Sequence, residues 1–97
     1  MREVLVTEVP ADAQLIDVRE TGEFAEVRAV GAHNIPMSIF PSRLHELDDE
    51  REIYLICKVG GRSAQVGQYL EARGLEVINV VGGTDAWVAA GLPTESD

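Results

Sequence analysis

The 97-residue chain contains one cysteine, Cys57, and only two histidines, His33 and His45. A single cysteine excludes an internal disulfide, and it cannot build a thiolate metal cluster. The two histidines stand twelve residues apart without ligand spacing, so no metal is expected. Basic residues are also scarce, with 8 Lys and Arg against 17 Asp and Glu and a net charge of -9. Such a chain repels nucleic-acid phosphates and anionic lipid faces, so neither is expected as a partner. Taken globally, the same charge argues against an anionic substrate. Long apolar runs are missing too. Near the start only Val4-Leu5-Val6 stand together. That is too short for the apolar region of a signal peptide and far short of the roughly 20 residues that span a bilayer. The resulting expectation is a cytoplasmic protein.

The chain does contain enough material for a core. Hydrophobic residues make up 45% and charged residues 26%, close to globular averages, and the length suits one domain over residues 1–97. Leu15-Ile16-Asp17-Val18, Ile53-Tyr54-Leu55-Ile56-Cys57 and Val77-Ile78-Asn79-Val80-Val81 are short runs with little polar alternation. This is the pattern of parallel strands buried on both faces. Val4-Leu5-Val6 reads as an edge strand and His33-Asn34-Ile35-Pro36 as a weaker extended piece. Helical patterns lie between the runs. Ser63 to Arg73 places Val66, Tyr69 and Leu70 on one face and is followed by Gly74 as a C-terminal cap. Shorter helices are expected over 20–26, after Pro41-Ser42 and over 84–90. Asp48-Asp49-Glu50 reads as a solvated turn, and the tail Thr94-Glu95-Ser96-Asp97 is expected to fray. Neither an internal repeat nor a linker is visible. Strands alternating with helices predict an α/β fold, a mostly parallel sheet of about five strands with helices on both faces.

The chemistry concentrates in Cys57-Lys58-Val59-Gly60-Gly61-Arg62-Ser63. A buried strand delivers the cysteine to its C-terminal end, where open parallel sheets bind their ligands. Two glycines permit a tight curve whose backbone N–H groups point inward as an anion nest. The start of the following helix adds free N–H groups and a positive dipole end. Lys58 and Arg62 add two charges. All of these favour thiolate over thiol. Alone, a cysteine in a strand is more often an inert small hydrophobe. The coincidence of strand end, glycines, cations and helix start brings a reactive thiol level with that reading. Cysteine phosphatases place five residues between Cys and Arg, whereas four separate Cys57 from Arg62. The tighter loop fits a single added sulfur better than a phosphoryl group.

The sequence resembles the single-domain rhodaneses, which are thiosulfate sulfurtransferase-like modules. Their loop, Cys-x-x-Gly-x-Arg-Ser, is matched by Cys57, Gly60, Arg62 and Ser63. Upstream, Leu15-Ile16-Asp17-Val18-Arg19, Glu23-Phe24 and Gly31-Ala32-His33-Asn34-Ile35-Pro36 follow the family pattern. Downstream, Gly82-Gly83-Thr84-Asp85-Ala86-Trp87-Val88-Ala89-Ala90-Gly91-Leu92-Pro93 matches Gly-Gly-x-x-Ala-Trp-x-x-Ala-Gly-Leu-Pro. One departure is Val27-Arg28-Ala29, where the family usually has Gly-His-Ile.

The resemblance implies a three-layer rhodanese fold and sulfur transfer without a cofactor. The Cys57 thiolate takes the outer sulfur of a small anionic donor such as thiosulfate and holds it as a persulfide. Cyanide or a thiol then accepts the sulfur, or a partner protein does so in a sulfur relay. The backbone of Lys58, Val59, Gly60, Gly61, Arg62 and Ser63 is expected to cradle the added sulfur. Lys58 either attracts the donor or is a solubility charge. Arg62 either binds donor oxygens or, as favoured here, braces the loop through its carbonyls. Asp17 and Arg19 either tune the site electrostatically or, the preferred reading, form a structural ion pair. Trp87 reads as core, and Gly82-Gly83 as a tight turn beside the site.

Overall fold

The computed structural model describes all 97 residues. In chain order the elements are β1 (Arg2–Val4), β2 (Gln14–Asp17), α1 (Thr21–Glu26), β3 (Arg28–Ala29), β4 (His33–Asn34), β5 (Ile53–Ile56), α2 (Gly61–Glu71), β6 (Val77–Val80), α3 (Gly83–Ala89) and β7 (Thr94–Glu95). Short 3₁₀ segments run over Val6–Glu8 and Met37–Glu46, the second broken at Arg43 just after Pro41. No helix is long and apolar enough to cross a membrane.

The expected α/β architecture is present. Five strands form one parallel sheet in the order β1-β6-β5-β2-β4. Every residue of β5 and β6 is buried, as befits strands covered on both faces. Alternation along β5 divides the core. Ile53, Leu55 and Cys57 point to the face where Val66 and Leu70 of α2 and Phe40 of the 3₁₀ segment pack. Tyr54 and Ile56 point to the other face, which holds Val6, Ile78, Val80 and Trp87. Trp87 is core, as expected, and its indole N–H donates to the Pro93 carbonyl at 2.7 Å.

Three local expectations need correction. The edge strand is Arg2–Val4, displaced from Val4-Leu5-Val6. Its partner β6 ends at Val80, so Leu5 and Val6 have no strand beside them; Val6 turns into the core instead. Helix α2 begins at Gly61, ahead of Ser63, and its end is closed by Leu75 N–H on the Leu70 carbonyl at 3.1 Å. The tail is tied down. Thr94–Glu95 pairs antiparallel with Arg28–Ala29, Asp97 N–H reaches the Ala25 carbonyl at 2.9 Å, and the Asp97 carboxylate meets Arg28 at 2.7 Å. The departing segment 27–29 supplies this dock: Arg28 also lies 4.7 Å over the Phe24 ring.

Candidate active site

The chain crosses from one side of the sheet to the other at β2 and β5. From β2 it proceeds outward to β4; from β5 it continues to β6 on the opposite side. The carboxyl ends of β2 and β5 therefore flank a topological switch point, where open α/β sheets leave a crevice. Asp17 ends β2, and Cys57 follows β5, the central strand.

Cys57 is 1% exposed and lies beneath the loop it begins. The Gly60 N–H points at its sulfur from 3.1 Å. The Ser63 hydroxyl lies 3.3 Å from Sγ, 3.1 Å from the Gly60 carbonyl oxygen and 2.5 Å from Asn79 Oδ1. Having one proton, it donates to one of these acceptors at a time. Burial pushes the Cys57 thiol up, but the Ser63 hydroxyl and the N–H groups of Ser63, Gly60 and Val59 outweigh it and hold the thiol below its ordinary value. Val59 forms the loop tip, 62% exposed.

Two glycines make this geometry possible. Gly60 has φ 116°, a left-handed conformation that side chains resist. Gly83 opens α3 with φ 58°, and a Cβ there would lie 2.5 Å from the carbonyl oxygens of both Cys57 and Lys58. The close approach lets α3 grip the loop. Thr84 donates its N–H (2.8 Å) and its hydroxyl (3.0 Å) to the Cys57 carbonyl, and Asp85 N–H donates to that of Lys58 at 3.1 Å. Gly82-Gly83 is thus both the expected turn and a clamp on the loop.

The two loop cations are not free. Arg62 makes a two-pronged pair with Glu23 of α1, at 2.7 and 2.9 Å. The brace expected through loop carbonyls runs to a carboxylate on another element instead, which offers the guanidinium two charge-assisted hydrogen bonds. Arg62 in turn holds the Glu23 carboxyl down to about 2, against burial that pushes it up. Lys58 Nζ lies 2.7 Å from Asp85 Oδ2. Asp17 and Arg19 form a buried pair, 0% and 3% exposed, with Arg19 Nη2 at 2.8 Å from Oδ2. Arg19 also donates to the Val27 carbonyl at 2.7 Å, tying β2 to the end of α1. His33 and His45 both turn to Glu46, at 2.6 and 4.0 Å, away from the cysteine loop.

Residues 5–90 match the family model of the rhodanese-like domain. The chain belongs to the rhodanese family. It is 36% identical over 83 residues to a sulfurtransferase of Allochromatium vinosum, covering 84% of this chain and 78% of that protein. It is 34% identical over 85 residues to the thiosulfate sulfurtransferase GlpE of Glaesserella parasuis, covering 87% and 79%. Among solved structures, SSP1007 of Staphylococcus saprophyticus is 40% identical with a TM-score of 0.86, covering 96% of this chain and 99% of that one.

Within this rhodanese domain, four residues around the cysteine loop escaped the sequence reading. Asn79 carried a signal, being the one polar residue inside the third apolar run. Its Nδ2 donates to the Gly60 carbonyl at 3.3 Å while its Oδ1 faces Ser63. Thr84 stands directly after the glycine pair, a place from which a grip on the neighbouring loop is foreseeable. Glu23 and Asp85 stand within the family motifs, but their pairings gave no signal, since their partners lie 39 and 27 residues away.

Proposed function

We propose that this rhodanese is a sulfurtransferase whose nucleophile is Cys57, taking a sulfane sulfur from a donor such as thiosulfate and passing it to cyanide or a thiol. The observation that carries this reading is the set of donors converging on one sulfur: Gly60 N–H at 3.1 Å and the Ser63 hydroxyl at 3.3 Å, within a loop clamped by α3. In the first step the thiolate attacks the outer sulfur of thiosulfate. The new bond joins Sγ to that sulfur, the old sulfur–sulfur bond breaks, and sulfite leaves with its electron pair. In the second step cyanide or a thiolate attacks the terminal sulfur, and Cys57 departs as thiolate. The transfer is nucleophilic catalysis split into two displacements. The backbone N–H groups from Lys58 to Ser63 hold the negative terminal sulfur of the intermediate.

A protein acceptor is the second reading, a relay in which a partner collects the sulfur. Val59 at the loop tip and Val88 of α3 favour it, being 62% and 49% exposed beside the loop. Both readings need the persulfide. Incubating the reduced protein with thiosulfate and recording its intact mass should show a gain of one sulfur, absent from Cys57→Ser. An unchanged mass for reduced wild type, with every donor tried, would refute the proposed chemistry. Rapid turnover with cyanide but not with thiols would place the small-molecule reading ahead of the relay.

A further inference from the structure

The pattern that identifies the downstream motif, Gly-Gly-x-x-Ala-Trp, leaves its third and fourth positions open. This chain places Asp85 at the fourth. Asp85 lies in the first turn of α3, and its carboxylate sits 2.7 Å from Lys58 Nζ. The other loop cation, Arg62, is occupied by Glu23. A cleft of about 240 Å³ beside the loop carries Lys58 and Arg19 against Glu23, Glu26 and Asp85. Arg19 offers no free charge there, because it is paired with buried Asp17. The anion attraction suggested by Lys58 and Arg62 is therefore offset beside the loop, while the Gly60 N–H remains directed at the sulfur.

We propose that Asp85 is a specificity-determining residue. It compensates Lys58, the residue next to Cys57, so the loop does not select for dianionic donors and favours sulfane donors of lower charge. This rests on the sulfurtransferase reading for its substrates, but the electrostatic claim stands on the pair itself. Lys58 and Asp85 are both more than half exposed, so their direct bond is weak and exchangeable. What matters is the net field around the cysteine loop, which one carboxylate changes by a full charge. For a dianion arriving several ångströms away through water-like dielectric, an uncompensated lysine strengthens encounter by about three- to tenfold at low salt.

The test has two independent arms. The first compares alkylation of Cys57 by iodoacetate and by iodoacetamide, reagents of similar size that differ by one charge. The ratio of their rates cancels the thiolate fraction and reports the field alone. Asp85→Asn should raise the iodoacetate:iodoacetamide ratio about two- to threefold, and raising the salt to about 0.5 M should erase the gain. Lys58→Ala should lower the ratio, because Asp85 is left unopposed, and the double variant should return to the wild-type value. The second arm compares thiosulfate, a dianion, with methanethiosulfonate, its near-isosteric monoanion. Attack on the latter forms the same persulfide and releases methanesulfinate. Asp85→Asn should lower the thiosulfate KM about three- to tenfold and the methanethiosulfonate KM by less, with KM moving more than kcat. An alkylation ratio that Asp85→Asn leaves unchanged, or a Lys58→Ala deficit that persists in the double variant, would overturn the proposal. A ratio that shifts as expected in a protein that forms no persulfide with either donor would instead sink the sulfurtransferase reading.

Discussion

Replacing Ser63 with alanine separates the hydroxyl from the backbone in stabilising the thiolate. Alanine retains the N–H and nearly the same volume and is the better helix former, so what the site loses is one O–H group in a fully buried place. A hydrogen bond to a charged acceptor contributes about 1.5–3 kcal/mol. The low end applies here, because the hydroxyl is 3.3 Å from Sγ and also within reach of Gly60 O and Asn79 Oδ1. At 1.36 kcal/mol per unit, the Cys57 thiol should rise by about one pH unit. The remaining N–H groups of Gly60, Val59 and Ser63 keep it from rising further. Near neutral pH the thiolate fraction then falls up to about tenfold, but the more basic thiolate is intrinsically more nucleophilic. With a Brønsted coefficient of about 0.4–0.5, alkylation by iodoacetamide should slow only about three- to fourfold at neutral pH. Above both titrations the variant should be the faster by a similar factor. The crossing of the two pH–rate curves is the signature, and a simple loss of accessibility does not produce it. Urea unfolding should show a cost of about 1–3 kcal/mol, since the buried acceptors Asn79 Oδ1 and Cys57 Sγ lose the one proton they share. A Ser63→Ala curve whose midpoint stays within about 0.3 pH units of wild type, or moves down, would refute the role given to the hydroxyl.

Three further perturbations probe the frame around the loop. Gly83→Ala forces a side chain into left-handed geometry and into two carbonyl oxygens at 2.5 Å. It should destabilise by at least about 3 kcal/mol in urea unfolding, and a loss under about 1 kcal/mol would deny the clamp. Asp17→Asn leaves Arg19 buried beside a neutral amide, with a cost approaching the about 3–5 kcal/mol of a broken buried pair. As a structural pair it should leave the Cys57 alkylation midpoint in place; a shift beyond about half a unit would assign it electrostatic tuning. The Glu23 carboxyl, held down to about 2 by Arg62, contributes stability above its ordinary value of 4.5 and loses it as pH falls through about 2. The Arg62–Glu23 brace should therefore survive at pH 4. Glu23→Gln should flatten the dependence of the urea midpoint on pH between about 4.5 and 2, and parallel curves for the two proteins would count against the brace.

Elements whose cause is local were legible from the residues. Short, largely apolar runs became β2, β5 and β6, and the i, i+3, i+4 pattern of Val66, Tyr69 and Leu70 became α2. The place of Cys57 was legible for the same reason, since a buried strand running into glycines can end only at a sheet's carboxyl edge. The failures share a different cause. Thr94–Glu95 is too short and polar to announce a strand, and only the edge offered by Arg28–Ala29 makes it one. Leu5 and Val6 look like strand residues but outrun their neighbour. In both cases pairing over a long sequence distance overrides local propensity.

Charge shows the same limit in its sharpest form. A net charge of -9 argues against anions, and the acid-free loop with two of the chain's eight basic residues argues for them. The fold settles neither claim by simple counting. It brings Glu23 from 39 residues upstream onto Arg62 and Asp85 from 27 residues downstream onto Lys58. The side-chain charges of the loop are thereby nearly cancelled, while the donors that act on the sulfur are neutral dipoles, the Gly60 N–H set by the backbone and the Ser63 hydroxyl held among buried acceptors. Held in a buried place, such dipoles favour an anion without any net positive charge, because their orientation has been set during folding and water cannot screen them. A site of this kind stabilises negative charge on one atom without attracting every anion nearby. That combination suits a protein whose working anion is made on its own cysteine.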